Sequence, residues 1–223
     1  MNGRFEYGED NTSLPHLLDK ALRNTQRELT KAKQEAVTDP LTGLFNRRTW
    51  NSKMAELTAE LNRTITIEKT QNQSSRPLLR KVLIFALDLN RFKFLNDKYG
   101  HPAGDQALGT FANFLKKTAT RKSDMLFRTG GDEFMIVCPM ESVEDVSDKS
   151  VQELLERIQN ALSQKLFIPV EDKGDGVMQF PITASAGHLV LEKGKSWDFE
   201  AVYKKVDDEL SRNKQANGAE RGK

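Results

Sequence analysis

Two acidic positions stand where a rigid scaffold would display carboxylates. Asp88 closes the apolar run Val82-Leu83-Ile84-Phe85-Ala86-Leu87. Asp132-Glu133 follow Gly130-Gly131, between Met125-Leu126-Phe127 and Phe134-Met135-Ile136-Val137-Cys138. A run that short and that apolar reads as a central strand covered on both faces. Two apolar stretches around a Gly-Gly turn read as a hairpin. Strand ends and turns are where a sheet presents functional groups. If the central strand and the hairpin are neighbours, Asp88 and Asp132 converge, and they repel unless a cation lies between them. Magnesium suits such a place, because it takes few protein carboxylates and completes its shell with water and substrate phosphates. Gly130 and Gly131 would let the backbone approach a bulky ligand and adopt positive φ. An ordinary tight turn with no chemistry attached satisfies the same four residues, so the context has to decide.

Several elements must position these groups. Leu18, Leu22, Thr25, Leu29, Ala32 and Ala36 recur at spacings of four and three among charged residues. That narrow stripe predicts a coiled coil between two chains. A surface helix packed on its own domain is the alternative, since Thr25 and the alanines are weak seam residues. The helix should stop before Thr38-Asp39-Pro40, because proline disfavours helix in the residue ahead of it. Residues 1–37 and 38–223 are the expected division. Asp39-Pro40-Leu41-Thr42-Gly43 is turn chemistry, and a helix with Phe45, Trp50, Met54, Leu57 and Leu61 on one face should follow. Thr64 to Arg80 is polar and reads as a loop or an extended insertion. A short helical stretch after Asp88 leads to the loop Gly100-His101-Pro102-Ala103-Gly104, then to a helix from about Asp105. Ser150 is the expected cap of a helix bearing Leu154, Leu155, Ile158 and Leu162. Leu166–Val170 and Met178–Val190 are strand candidates, and a last helix runs from Phe199 to Lys214. Strands alternate with helices, but the hairpin means that the sheet cannot be all parallel.

Composition narrows the function. With 223 residues there is room for one well-packed domain plus an extra element. The 34 Lys+Arg against 32 Asp+Glu leave a formal charge of +2, too little for wholesale nucleic-acid binding. A phosphate ligand must therefore be held locally. A single cysteine, Cys138, excludes an intrachain disulfide and a cysteine-rich zinc site. The polar start lacks the apolar core of a signal peptide, and no apolar run approaches the ~20 residues that span a bilayer. A cytoplasmic protein, or a cytoplasmic fragment of one, without direct membrane contact is expected.

The residues then become recognisable. Arg128-Thr129-Gly130-Gly131-Asp132-Glu133-Phe134 resembles the signature of the GGDEF family. Asp88-Leu89-Asn90-Arg91-Phe92-Lys93-Phe94-Leu95-Asn96-Asp97, with Gly100-His101 to Gly104-Asp105, is similar to that family's nucleotide-binding segment. Asp39-Pro40-Leu41-Thr42-Gly43-Leu44-Phe45-Asn46-Arg47-Arg48 is similar to its opening motif, and Thr183-Ala184-Ser185-Ala186-Gly187 matches a family strand loosely. The resemblance covers about residues 38 to 216.

It implies an α+β fold, a ferredoxin-like nucleotidyl-cyclase palm with a mostly antiparallel sheet flanked by helices, here with an N-terminal coiled-coil helix. It implies a diguanylate cyclase that condenses two GTP into cyclic di-GMP, with two Mg2+ (or Mn2+) ions per half-site. Asp88, Asp132 and the backbone carbonyl of Leu89 would bind metal, and Glu133 would assist the metal or the deprotonation of the attacking hydroxyl. Asn96 and Asp105 would read guanine; adenine lacks the donor pair that Asp105 accepts. Lys93 and Lys214 would neutralise the triphosphate, Lys93 counting with Asp132 and Glu133 among the catalytic residues. Two domains must meet, so a homodimer is implied, and the heptads would pair the chains. Arg121 and Asp124 resemble the family's inhibitory RxxD site for the product. The chain also departs from the family. Asn90 replaces a common second aspartate, removing a charge close to the metals. Ser211 replaces a usual tyrosine, and a phosphate-binding arginine is displaced to Arg221. The rival readings are a catalytically silent domain that binds GTP or cyclic di-GMP as an effector, a cyclase with relaxed base choice, and a pure coiled-coil adaptor.

Overall fold

The computed structural model describes residues 14–63, 79–118, 121–141, 147–172 and 176–216. The chain divides into two units, Met1–Val37 and Thr38–Lys223. In the first, helix α1 (Leu14–Val37) has no buried residue. Leu18, Leu22 and Leu29 of the heptad stripe are exposed, while Lys31–Glu35 at 3.7 Å and Arg23–Asp19 pair along the helix.

The second unit is built on β1 (Lys81–Leu89), with β3 (Glu133–Met140) on one side and β6 (Ala184–Glu192) on the other, both antiparallel to it. β2 (Met125–Arg128) completes the sheet, in the order β2-β3-β1-β6. Helices α2 (Arg47–Asn62) and α6 (Phe199–Ala216) cover one face; α4 (His101–Thr118) and α5 (Asp148–Leu162) cover the other. This explains the unbroken apolar run from Val82 to Leu87 within β1. Leu83, Phe85, Leu87 and Leu89 pack with Phe111, Leu115 and Ile158. Val82, Ile84 and Ala86 pack with Trp50, Met54, Val202 and Val206. Each of the Val, Leu, Ile, Phe and Met side chains among them contributes about 1.5–3 kcal/mol of burial. The structure is thus α+β with an antiparallel central sheet flanked by helices, as the sequence predicts.

Four local expectations are corrected. Phe45 precedes α2 rather than lying on it. Its backbone bonds to β2, Phe45 N to Leu126 O (3.0 Å) and Arg128 N to Phe45 O (2.8 Å), and Asn46 then caps the helix by accepting from Thr49 N. The stretch His101–Gly104 is the first turn of α4, not a loop. Proline is tolerated at a helix start, and Gly104 is set by packing against Asn96 rather than by a turn. The α5 cap is Ser147, whose side chain accepts from Ser150 N, so Ser150 lies inside the helix. Finally, the run Met178–Val190 is two strands in two sheets. β5 (Gly176–Ile182) pairs with β4 (Leu166–Asp172), and the chain crosses to the main sheet at Thr183. Within the expected insertion, residues 64–78 lie outside the described residues.

The β4–β5 ribbon braces helix α3 (Phe92–Tyr99), which follows β1. Phe180 stacks on Phe94 with centroids 6.3 Å apart and meets Tyr99 edge-on at 5.8 Å.

Candidate active site

The hairpin turn between β2 and β3 sits directly beside the end of β1. Asp88 is opposite Glu133 in register, and Leu89 N donates to Asp132 O at 3.2 Å. Asp88, near the end of β1, and Asp132, in the adjoining turn, therefore converge. The two turn glycines serve different ends. A Cβ at Gly130 would come within 2.6 Å of Glu133 Oε2, so this glycine makes room for the Glu133 carboxylate. A Cβ at Gly131 would meet nothing within 4 Å. Neither is among the positive-φ glycines of the described chain, so the expected positive φ does not hold.

Arg128 fixes the turn. Its Nε and Nη2 donate to Gly131 O at 3.1 and 2.8 Å, and Nη1 donates to both carboxylate oxygens of Asp39 at 3.1 and 3.0 Å. Burial would raise the Asp39 carboxyl, but hydrogen bonds from Thr42 and Arg128 outweigh it and hold it below the usual range. In the sequence both residues lie within motifs, and nothing there assigns either of them this role.

Charge at this end of the sheet is unbalanced. Burial pushes the Asp88 carboxyl above its ordinary range; Asp132 and Asp207 add repulsion, and Lys214 opposes them. Glu133 is likewise raised, by burial first and then by Asp207, Asp88 and Asp132, with Arg47 in opposition. Lys214 Nζ lies 2.9 Å from Asp88 Oδ2, so the residue expected on a triphosphate sits on an expected metal ligand. Asp207 and Arg47, unassigned by the sequence reading, belong to this cluster. Asp207 follows the buried Val206 on α6 but lies off the Val202–Val206–Leu210 row, so helical spacing does not mark it.

Among the described residues no three His, Cys, Asp or Glu side chains form a finished metal cage. The donor set still fits magnesium, which needs only one or two protein carboxylates when phosphates supply the rest. Carboxylates whose proton affinity is raised by mutual repulsion gain most from a cation placed between them.

The other candidates lie on neighbouring elements. Lys93 is exposed in the first turn of α3. Asn96 lies against Gly104, where a Cβ would collide with Asn96 Oδ1, and that oxygen is buried without a hydrogen-bond partner among the described residues. Asp105, the next residue along α4, is exposed. Asn96 and Asp105 are thus brought together by the α3–α4 packing. Arg121 and Asp124 are engaged with each other: Arg121 Nε and Nη2 are 2.9 and 2.8 Å from Asp124 Oδ1, and the Asp124 side chain is 1% exposed. Arg121 also lines a cavity of about 390 Å³ with Met140, Ser150, Glu153, Leu154 and Arg157. Arg157, one helical turn after Glu153, is a basic residue that the sequence reading missed. Beneath the pair, burial and then the Asp124 charge push the Cys138 thiol up to about 12. Arg221 lies outside the described residues.

An antiparallel α+β palm, with carboxylates from a central strand and a Gly-Gly turn meeting at one open end, defines a class of nucleotide-handling domain. The chain belongs to the GGDEF family: the family model described as diguanylate cyclase, GGDEF domain matches residues 36–220. It is 33% identical over 188 residues to diguanylate cyclase DgcP of Pseudomonas aeruginosa, covering 84% of this chain and 24% of that protein. It is 29% identical over 182 residues to diguanylate cyclase VdcA of Vibrio cholerae, covering 82% and 45%. The chain therefore spans less than half the length of these two relatives. Among solved structures, the coiled coil and GGDEF domain of DgcB from Caulobacter crescentus, in complex with c-di-GMP, shares the fold. It matches with a TM-score of 0.61 and 22% identity over 91% of this chain and 94% of that one. Diguanylate cyclase SiaD from Pseudomonas aeruginosa, solved with its activator SiaC, matches with a TM-score of 0.59 and 25% identity over 89% and 66%.

Proposed function

We propose that this chain is a diguanylate cyclase that condenses two GTP into cyclic di-GMP and releases two pyrophosphates. The observation that carries this reading is the convergence of Asp88 with Asp132 and Glu133 across adjoining strands, left with too little positive charge. Bound divalent ions, magnesium or manganese, two per half-site, would polarise the α-phosphate and lower the pKa of the attacking 3′-hydroxyl. Asp88, Asp132 and the Leu89 carbonyl would hold them. Glu133, whose carboxyl keeps its proton to higher pH than usual, would assist there or accept the hydroxyl proton. Lys214 would exchange Asp88 for the triphosphate, and Lys93 would face the same phosphates. Asn96 and Asp105 would take the guanine edge.

Each domain would hold one GTP, so two chains must meet, and the bare leucines of α1 offer the pairing surface. Binding of cyclic di-GMP at Arg121 and Asp124 would require their mutual ion pair to open; Arg121→Ala should then leave turnover intact and flatten the product-inhibition curve. An unaltered curve would remove that site. No helix among the described residues is long and apolar enough to cross a membrane, and the cytoplasm, where GTP is available, is the proposed location.

A catalytically silent domain that binds GTP or cyclic di-GMP as an effector is the second reading, favoured by Lys214 resting on Asp88. Incubation with GTP, ATP or both in magnesium, with products identified by mass, separates the readings. Cyclic di-GMP from GTP alone supports the cyclase. Mixed dinucleotides would overturn the guanine assignment, and no product would favour the effector.

A further inference from the structure

Asn90 is the residue at which β1 gives way to α3, and its backbone N and its side chain are bonded to Thr183, just ahead of β6, and to Ser185 within it. Its backbone N donates to Thr183 O at 2.9 Å, and its Nδ2 donates to Thr183 Oγ1 at 3.1 Å. Ser185 Oγ donates to its Oδ1 at 2.7 Å. Ser185 is 5% exposed and stands directly across from Asp88 in the β1–β6 register. The next residue, Arg91, has φ of 61°, the one positive-φ non-glycine residue of the described chain. A left-handed arginine is strained and persists only where the surroundings over-determine it. The three bonds of Asn90 hold the residue ahead of it, while Arg91 itself accepts from Leu95 N at 3.0 Å and lays its guanidinium over the Phe94 ring, 4.6 Å from the centroid. The Asn90 bonds also fix the peptide that joins Leu89 to Asn90, and they lie on the face of β1 that carries Asp88.

We propose that Asn90 is a positioning residue for the cation-binding end of β1. Its carboxamide, gripped by Thr183 and Ser185, sets the direction of the Leu89 carbonyl and keeps the place beside Asp88 uncharged. The neutral amide is then a determinant of how tightly the domain takes up divalent metal, and not a mere loss of charge. The chemistry of the two partners makes this specific. Both are hydroxyls and can donate, so an aspartate at 90 could keep both bonds while adding a negative charge next to Asp88. An alanine keeps neither bond. This inference rests on the proposed function, because it takes the Asp88 end to be where metal binds.

The test is Mn2+ binding to the full chain in the presence of a non-hydrolysable GTP analogue, read from the disappearance of the free Mn2+ electron-spin-resonance signal. Melting curves show whether each variant is folded. Asn90→Ala and Ser185→Ala should each weaken Mn2+ binding by roughly 10-fold or more, the usual effect of losing a group that orients a metal ligand. Asn90→Asp should tighten it about threefold or more, as expected for one added charge several ångströms away in a solvated site. A merely structural role would lower the melting temperature of the alanine variants and leave Mn2+ affinity of the folded protein unchanged; that result overturns the proposal. Asn90→Asp binding no tighter than wild type also overturns it. Wild type taking up no Mn2+ beyond what the analogue binds alone would sink the reading of the Asp88 end itself, a different failure from variants that match a metal-binding wild type.

Discussion

The two ends of β1 are built from the same strands and treat charge in opposite ways. At the Lys81 end, Lys81 lies between Asp148 at 3.1 Å and Glu192 at 3.4 Å, and Lys195 reaches Glu192 at 2.6 Å. Trp197 closes that end, its Nε1 donating to Glu192 O and its backbone exchanging hydrogen bonds with Asn62. Every one of these charges has a partner. At the Asp88 end, Asp207, Asp88 and Asp132 act on Glu133 against Arg47, and among the described residues Lys214 is the one cation paired with Asp88. Folding alone would favour the first arrangement at both ends. In the proposed function a cation and a phosphate ligand would supply the charge missing from the second.

The largest contrast should come from charge removal at each end. Asp132→Asn should lower cyclic di-GMP formation by at least roughly 100-fold, the several kcal/mol that a metal site supplies, while its melting temperature stays equal or rises. Lys81→Met should do the reverse: turnover is kept, and stability falls by about 1 kcal/mol or less, since Asp148 is fully exposed. Steady-state rates and denaturant unfolding of the pair are the check. Equal effects of both substitutions on rate would mean that the two ends are not specialised.

Next in size is base choice. Asp105→Ala should narrow the preference for GTP over ATP by on the order of 10–100-fold, because a polar group built to pair with guanine is what penalises adenine. Competition between the two nucleotides measures it, and unchanged selectivity would take Asp105 out of the guanine site.

Much of this was legible in the residue pattern, and the exceptions have physical causes. The apolar run ending at Asp88 and the hairpin around Gly130-Gly131 are local signals, so β1, β2 and β3 are legible in the sequence itself. Periodicity does not report a change of sheet, so Met178–Val190 read as one strand although Thr183 passes it from the ribbon to the main sheet. Gly and Pro read as loop punctuation, which hid the first turn of α4. At the site, the carboxylates were found by their positions on a strand end and a turn. Asp207, Arg47 and the Asp39–Arg128 link were not assigned, because each reaches the site from a distant part of the chain and carries no local pattern that says so. Asn90 was noticed only as a missing charge; its grip on Thr183 and Ser185 spans more than 90 positions of sequence.

The Asp39–Arg128 link gives a smaller effect. Arg128 spans Asp39 and Gly131 O through three nitrogens, a geometry that a lysine point charge cannot reproduce. Arg128→Lys should therefore lower turnover about 10-fold, as loosened positioning near the chemistry does, with little change in charge. A variant as fast as wild type would show that the turn holds itself.

The smallest effect is in the pH dependence of stability, and here the two ends should differ in sign. Asp88 and Glu133 have raised carboxyl pKa values in the folded protein. Without metal, the folded site holds protons that the unfolded chain releases, so its contribution is present below the ordinary carboxylate pKa of about 4. That contribution is lost as pH rises through the raised values. Glu192, at the closed end, has a lowered pKa, from Lys195 first and Lys81 next, with burial in opposition. Its contribution is present above the ordinary value and is lost as pH falls through the lowered one. Melting temperatures from about pH 3.5 to 7, without divalent ions, should show the two substitutions moving the profile in opposite directions. Asp132→Asn relieves the repulsion on Asp88 and Glu133 and should flatten the loss of stability on the alkaline side. Glu192→Gln should leave that loss in place and remove part of the gain on leaving acid. Magnesium with a non-hydrolysable GTP analogue should mimic Asp132→Asn in the wild-type protein, because a bound cation stabilises the ionised carboxylates that the empty fold disfavours. If the ligands leave the alkaline limb unchanged while still binding, the unbalanced charge at the Asp88 end is not what the cation relieves.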